Sequence, residues 1–497
     1  MSVHFSTKPL SGDLKRLSVR GGAATFAGQG VKFVLNLGSV MVLARILTPQ
    51  DFGLIAMVTA LTGFIMIFKD LGLSMATVQR AEINHGQIST LFWINVALSV
   101  LLMLITLALA PAVAWFYQDP RLVAVTAALS SAFLFSGLTV QHQALLSRQM
   151  RLSAVMIIDV LSMIVGILTA MLCAWAGLGY WALVWMQIAT AAAHAVGVWI
   201  ACGWIPGRPV RHSGVRSMTA FGGYLTGFNF VNYFARNLDN ILIGRFCGAE
   251  SLGLYSRAYS LLLFPIGQIT APISAVAVPA LSRLQKEPER YRRFYLKAIK
   301  LIAYISMPLV AAMGTLSTEI VQLILGNVWL DAAPIFTILA FAAIWQPVCS
   351  TVGWIFVSGG KTRRMFAWVC LAAPLILLSF VAGLPWGAMG VATGYAVCNL
   401  LLIIPEFSFA LKGSPIPVRD VVAVLYRPLA MSVIIALTMT VARRGVVESN
   451  PLLIVMVCLA TGVITFLILA RAVSSVRLDL KDLWDIRRTL FSKPAIA

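Results

Sequence analysis

Apolar residues in this chain gather into long stretches separated by short polar segments. A bilayer core takes about 20 consecutive, mostly apolar residues per helix. Fourteen stretches meet that requirement, at 22–47, 53–73, 88–117, 121–145, 153–175, 178–202, 218–246, 252–280, 297–316, 332–358, 364–384, 388–411, 420–442 and 451–472. Transmembrane strands would instead alternate over segments of about ten residues. Runs such as Val96 to Leu109 are continuously apolar, so the pattern predicts helices and an all-α polytopic membrane protein. Composition agrees: of 497 residues 60% are hydrophobic and 11% charged, against about 25% charged in soluble domains. Mean hydropathy is +0.89. A soluble enzyme, a disordered chain and a disulfide scaffold are excluded on these grounds.

The net charge of +20 would suggest nucleic acid in a soluble protein, but its placement follows topology. Lys and Arg concentrate in cytoplasmic loops. With the N-terminus inside, 27 basic residues fall in inner segments and 5 (Arg45, Arg121, Arg245, Arg443 and Arg444) in outer ones. Both termini are therefore expected in the cytoplasm, with the basic loops facing anionic lipid headgroups and no nucleic-acid partner. The outer connections are short, the longest running from about Leu316 to Asp331. The polar N-terminus followed by a span containing Lys32 does not have the pattern of a cleavable signal peptide.

The spans repeat. Ala44-Arg45-Ile46-Leu47 through Phe52-Gly53-Leu54 aligns with Gly244-Arg245-Phe246-Cys247 through Leu252-Gly253-Leu254 at an offset of 200. Ser147, Trp175 and Gly179 align with Ser358, Trp386 and Gly390 at an offset of 211. Spans one to six thus recur as seven to twelve in the same direction, a symmetry found in secondary transporters, whose substrate site lies between the halves. The expected organisation is an N-terminal lobe at 1–203, a basic cytoplasmic linker at 204–217, a C-terminal lobe at 218–411, two added spans at 412–472 and a basic tail at 473–497.

Candidate chemistry lies inside the spans. In span one Thr25, Gln29, Lys32, Asn36 and Ser39 share a helical face, by their spacing of four and three. At the same offset span seven presents Leu225, Asn229, Asn232, Arg236 and Asp239. A Lys or Arg at the centre of a span costs about 2.5–3.5 kcal/mol, so Lys32 and Arg236 are expected to face protein or water. Lys69, Asp70 and Asp159 sit near inner ends and Arg257 near an outer end, where snorkelling suffices to explain them. Asp239 either neutralises Arg236 three residues earlier or titrates during transport. His194, alone among alanines, is expected to be an interhelical hydrogen-bond partner rather than a proton relay.

Seven dispersed cysteines with no CxxC pair oppose a disulfide framework or a zinc site. Gly359-Gly360-Lys361-Thr362 lacks the first glycine of a P-loop, and Gly177-Leu178-Gly179 sits between spans rather than after a strand, so neither reads as a nucleotide site. No cofactor and no metal are expected.

Asn229-Phe230, Arg236-Asn237-Leu238-Asp239-Asn240, Gly244-Arg245, Leu252-Gly253-Leu254-Tyr255, Ala258-Tyr259 and Pro265, together with Leu43-Ala44-Arg45-Ile46-Leu47-Thr48-Pro49 and Phe52-Gly53-Leu54, resemble the bacterial polysaccharide transport flippases. These are the Wzx and colanic-acid-exporter-like branch of the multidrug/oligosaccharidyl-lipid/polysaccharide (MOP) exporter superfamily, and the resemblance spans essentially the whole chain. It implies a MOP/MATE-like fold of two six-helix lobes plus two helices. It also implies a flippase, not an enzyme, in the bacterial inner membrane, carrying an undecaprenyl-diphosphate-linked oligosaccharide by alternating access for exopolysaccharide, capsule or O-antigen synthesis. A polysaccharide polymerase and chain-length machinery are the protein partners it suggests. Spans one, two, seven and eight would form the cavity, with Lys32 and Arg236 attracting the diphosphate, Gln29, Asn36, Asn229 and Asn232 binding sugar hydroxyls, Lys69 and Arg257 less deep, and Asp239 as the ion-coupling candidate. An arginine triad like that of the related lipid II flippases does not carry over by position. The alternatives are a MATE-like small-molecule exporter, a lipid II flippase, a membrane glycan polymerase or ligase, and a scaffold for glycan assembly.

Overall fold

The structure, a computed structural model, describes residues 14–66, 83–210, 216–446 and 450–491, together with Phe68, Ser74, Thr77 and Val78. The described residues form α-helices and two short 3-10 turns, with no strand among them. They divide into two compact units, split between Gly253 and Leu254.

The first unit holds α1 (Leu14–Ile46), α2 (Pro49–Met66), α3 (His85–Tyr117), α4 (Arg121–Arg148), α5 (Leu152–Trp175), α6 (Trp181–Cys202) and the first limb of α7 (Arg216–Arg283). Local chemistry sets several boundaries. At the start of α3 the Asn84 side chain accepts from Gln87 N and the Gln87 side chain accepts from Asn84 N, a capping box that satisfies two otherwise orphaned donors. Gly177 and Gly179, with φ of +75° and +53°, turn the chain between α5 and α6. After α6, residues 203–210 lie back along α3: Gly207 N donates to Ser89 Oγ, Trp93 Nε1 to Gly207 O and Val210 N to Thr90 Oγ1, each at 2.9 Å.

The repeated Phe-Gly-Leu and Leu-Gly-Leu motifs meet inside this unit. A Cβ on Gly53 would collide with the Ala249 carbonyl, and one on Gly253 with the Pro49 carbonyl. Only glycine lets the two backbones approach so closely, which explains the residue that recurs at the offset of 200. α7 then breaks at Gly248, whose φ of 85° and ψ of 176° are non-helical.

The second unit holds the rest of α7, α8 (Pro288–Thr315), α9 (Ser317–Ile324), α10 (Ala332–Ala343), α11 (Gln346–Cys349), α12 (Val352–Ser358), α13 (Thr362–Gly383), α14 (Gly387–Leu411), α15 (Val418–Gly445), α16 (Pro451–Ala472) and α17 (Ser474–Phe491). The outer connection expected at 316–331 is ordered by α9 and a 3-10 turn at Asn327–Trp329. Arg443 on α15 donates to buried Glu319 on α9 at 2.7 Å. The span expected at 332–358 is bent by 41° between Ala343 and Gln346, where Pro347 cannot supply a helical N–H donor. Gly360, with φ of +64°, turns the chain into α13, and Lys361 Nζ donates to Gly413 O; this segment too is a turn between spans.

Eleven helices among the described residues are long and apolar enough to cross a membrane, or twelve if the bent pair is one span. Two of these runs, Asn237–Arg283 with 47 residues and Thr362–Leu411 with 50, are longer than the roughly 20 residues one crossing needs and contain breaks at Gly248 and at Leu384–Trp386. Leu452, Met456, Leu459, Val463 and Leu467 of α16 all point outward. Apolar surface of that extent is tolerated against lipid and not against water. The protein is a multi-pass helical membrane protein.

Candidate functional site

The polar face of α1 does not act as one stripe. Gln29 is exposed, Thr25, Lys32 and Asn36 are half-buried, and Ser39 is buried, its hydroxyl returned to Asn36 O at 2.9 Å. Phe26 and Val34, on the other side, are exposed as lipid-facing residues should be.

Lys32 defines the site. Its ammonium lies 3.1 Å from Asp159 Oδ2 on α5, and His194 Nε2 on α6 lies 3.3 Å from Asp159 Oδ1. Three helices thus bring one cation, one carboxylate and one imidazole together. Close helix packing positions them. A Cβ on Gly28, one turn before Lys32, would sit 2.9 Å from Met156 Sδ, and one on Gly197 would sit 2.7 Å from Ile158 Cγ2. These approaches draw α1 and α6 onto α5 on either side of Asp159.

Depth matters as much as proximity. Asp159 is seven residues into α5 and His194 eight residues from the end of α6, about 10–12 Å along the axes at 1.5 Å per residue. Snorkelling, expected for Asp159, is not what the structure uses: the carboxylate is held by two partners within the helix bundle. The cluster is not sealed, since the side chains of Lys32, Asp159 and His194 are 32%, 20% and 21% exposed. His194 is the interhelical partner its solitary position suggested.

The other candidates are placed separately. Asp239 is buried on the first limb of α7, with Oδ1 accepting from Asn240 N at 2.8 Å. Arg257 is half-buried on the second limb, in the other unit. Lys69 and the side chains of Asn229, Asn232 and Arg236 lie outside the described residues.

Sequence reasoning missed the pairing of Lys32 with Asp159. The usable signal was charge matching: opposite charges in spans one and five at similar depth are an ion pair waiting for a packing solution. It also missed a polar knot in the second unit. Gln346 Nε2, beside the bend, donates to Tyr259 OH at 3.0 Å and to Tyr395 OH at 2.7 Å. Farther along the same broken helix Tyr295 OH meets Thr351 Oγ1 at 3.0 Å and Tyr291 OH meets Ser358 Oγ at 2.8 Å.

The family described as "Polysaccharide biosynthesis protein" matches residues 42–334. The teichuronic acid biosynthesis protein TuaB of Bacillus subtilis (strain 168) is 28% identical over 343 residues, 68% of this chain and 71% of that protein. The lipopolysaccharide biosynthesis protein WzxC of Escherichia coli (strain K12) is 23% identical over 386 residues, 76% of this chain and 77% of that one. Among solved structures the lipid II flippase MurJ, in an inward closed conformation, superposes with a TM-score of 0.69 at 14% identity, covering 91% of this chain and 99% of that chain. At that identity the likeness establishes the fold.

Proposed function

The chain belongs to the polysaccharide biosynthesis protein family, and from that premise we propose that it is a flippase for a lipid-linked oligosaccharide. Its cargo is an undecaprenyl-diphosphate-linked repeat unit, moved from the cytoplasmic to the outer leaflet of the bacterial inner membrane for polysaccharide synthesis. Dividing the two long broken runs would give fourteen crossings, an even number that leaves both termini on one side, and the basic bias of the inner loops assigns that side to the cytoplasm. The lobes at 1–203 and 218–411 alternate access, with the spans at 412–472 added to them. The protein is a transporter and not an enzyme; a polysaccharide polymerase and chain-length machinery receive its product.

One observation carries this proposal: a partly exposed ammonium, Lys32, is kept inside a membrane span by a carboxylate partner. A compact dianion is held best in low dielectric by cations and hydrogen-bond donors, and a diphosphate would compete with Asp159 for Lys32. Arg236 supplies the second cation, and Lys69 and Arg257 are further cationic candidates. Gln29, Asn36, Asn229 and Asn232 take sugar hydroxyls, and Asp239 is a second ion-coupling candidate. The names of TuaB and WzxC, both polysaccharide biosynthesis proteins, and of MurJ, a lipid II flippase, support the same cargo class.

The test is leaflet accessibility of a lipid-linked oligosaccharide in reconstituted vesicles. Purified protein is expected to expose the glycan on the opposite leaflet, and Arg236→Gln to reduce that rate. Transport of a cationic dye with no glycan movement would instead establish a small-molecule exporter.

A further inference from the structure

Three properties of the Lys32–Asp159–His194 cluster bear on its role. First, it is charged where the fold does not require charge. At the offsets that relate the two repeats, Lys32, Asp159 and His194 correspond to Asn232, Cys370 and Pro405. The same helical plan is therefore built in the second repeat with no ionisable triad, and packing alone does not account for the one in the first.

Second, among the described residues two titratable side chains meet Asp159. Lys32 reaches it from α1 and His194 from α6. α4 also packs on α5, but its His142 bonds the Trp204 carbonyl and its Arg148 the Thr77 carbonyl.

Third, the cation is exchangeable. Lys32 carries a flexible stem with three donors, its side chain is a third exposed, and among the described residues it makes one ion pair.

From these features we propose that Asp159 is the resident counter-anion of Lys32, and that a prenyl-linked diphosphate displaces it while the Asp159–His194 pair takes up one proton from solvent. This deepens the flippase assignment and rests on it for the identity of the ligand. The charge balance is simple. When Lys32 turns to a phosphate oxygen, the carboxylate is left inside the membrane with only the His194 imidazole beside it. A carboxylate held largely out of water without its counter-charge is disfavoured, and one proton on the pair relieves that. The proton resides on the pair as a unit, as in any strongly coupled couple of sites. When the diphosphate leaves, Lys32 returns to Asp159 and the proton goes back to solvent. Substrate binding and proton binding are thereby linked, and linkage is reciprocal.

The experiment uses the purified full chain in detergent with farnesyl diphosphate as the probe. Calorimetry in two buffers of different ionisation enthalpy, at neutral pH, gives the number of protons taken up per ligand bound. The wild type is expected to take up about one proton, as the one-for-one exchange of partners on Lys32 requires. Asp159→Asn removes the competitor, so its affinity is expected to rise roughly tenfold, equivalent to about 1.4 kcal/mol, and its proton uptake to fall below half. Lys32→Gln is expected to bind about tenfold more weakly, on the same scale.

Wild-type binding without proton uptake, absence of binding, or an Asp159→Asn variant with undiminished uptake would each overturn the proposal. The wild-type measurement needs no variant, so it decides the matter even if Asp159→Asn fails to fold. The two assignments fail separately. Proton-linked farnesyl diphosphate binding in a protein that moves no oligosaccharide between leaflets sinks the flippase assignment and supports the exchange. Oligosaccharide movement with proton-free binding does the reverse.

Discussion

Lys32 and Asp159 stand 127 positions apart in the chain, yet their charged atoms lie 3.1 Å apart between α1 and α5. The pair is neither a surface ornament nor fully buried, so its contribution is measurable by a double-mutant cycle. We predict that Lys32→Met and Asp159→Asn are non-additive, with a coupling of about 1–3 kcal/mol, within the range for residues in direct contact. Unfolding in a fixed detergent reads it out; an additive cycle would mean that the pair adds nothing to the fold.

Gly53 and Gly253 should tolerate almost no side chain. Each faces a carbonyl of the opposing motif too closely for a Cβ, and backbone cannot retreat as a flexible side chain does. Gly53→Val and Gly253→Val are expected to abolish the monodisperse peak in size-exclusion chromatography. Gly22, with no neighbouring atom within 4 Å of its would-be Cβ, should accept alanine unchanged.

Glu319 is 4% exposed and receives Arg443 at 2.7 Å. Removing one partner of a buried pair leaves a charge in low dielectric, at a cost of about 3–5 kcal/mol. Arg443→Ala should therefore raise hydrogen exchange across α9, whereas Arg443→Ala combined with Glu319→Gln should recover much of the protection. Equal protection in both variants would argue against an electrostatic clamp at this connection.

The docking of α17 should be sensitive to acid. Asp479 lies beyond the last span and meets Lys300 at 2.5 Å, Arg427 at 2.9 Å and Tyr304 at 3.0 Å. Burial disfavours its charged form, but the hydrogen bonds from Lys300, Arg427 and Tyr304 outweigh burial and hold its carboxyl below the usual carboxylate range. A lowered folded value stabilises the docked helix fully above the ordinary Asp value of about 3.9. That contribution is lost as pH falls through the folded value. Protease cleavage between α16 and α17 should accordingly stay slow at neutral pH and accelerate below about pH 4. Asp479→Asn should cleave quickly at both.

Long apolar runs, the positive-inside bias and the recurrence at offsets of 200 and 211 were all legible from residue order, because burial in lipid imposes requirements on every consecutive residue of a span. By the same logic the sequence marked Lys32 as a residue that must be compensated. It did not name the compensator. Asp159 looked like a snorkelling residue near an inner end, since depth within a helix is uncertain by several residues until its ends are known. The bend before Gln346 and the fusion of two expected spans across Gly248 were hidden too, because hydropathy measures length and not direction.

The chain by itself therefore determined the helices and the presence of a polar problem inside the first span, both consequences of transfer energies that act residue by residue. Tertiary structure decided the partners. Which carboxylate meets Lys32 depends on the register at which α1 and α6 close on α5, set by contacts at Gly28 and Gly197, and a register between helices is a property of their packing that no single helix encodes.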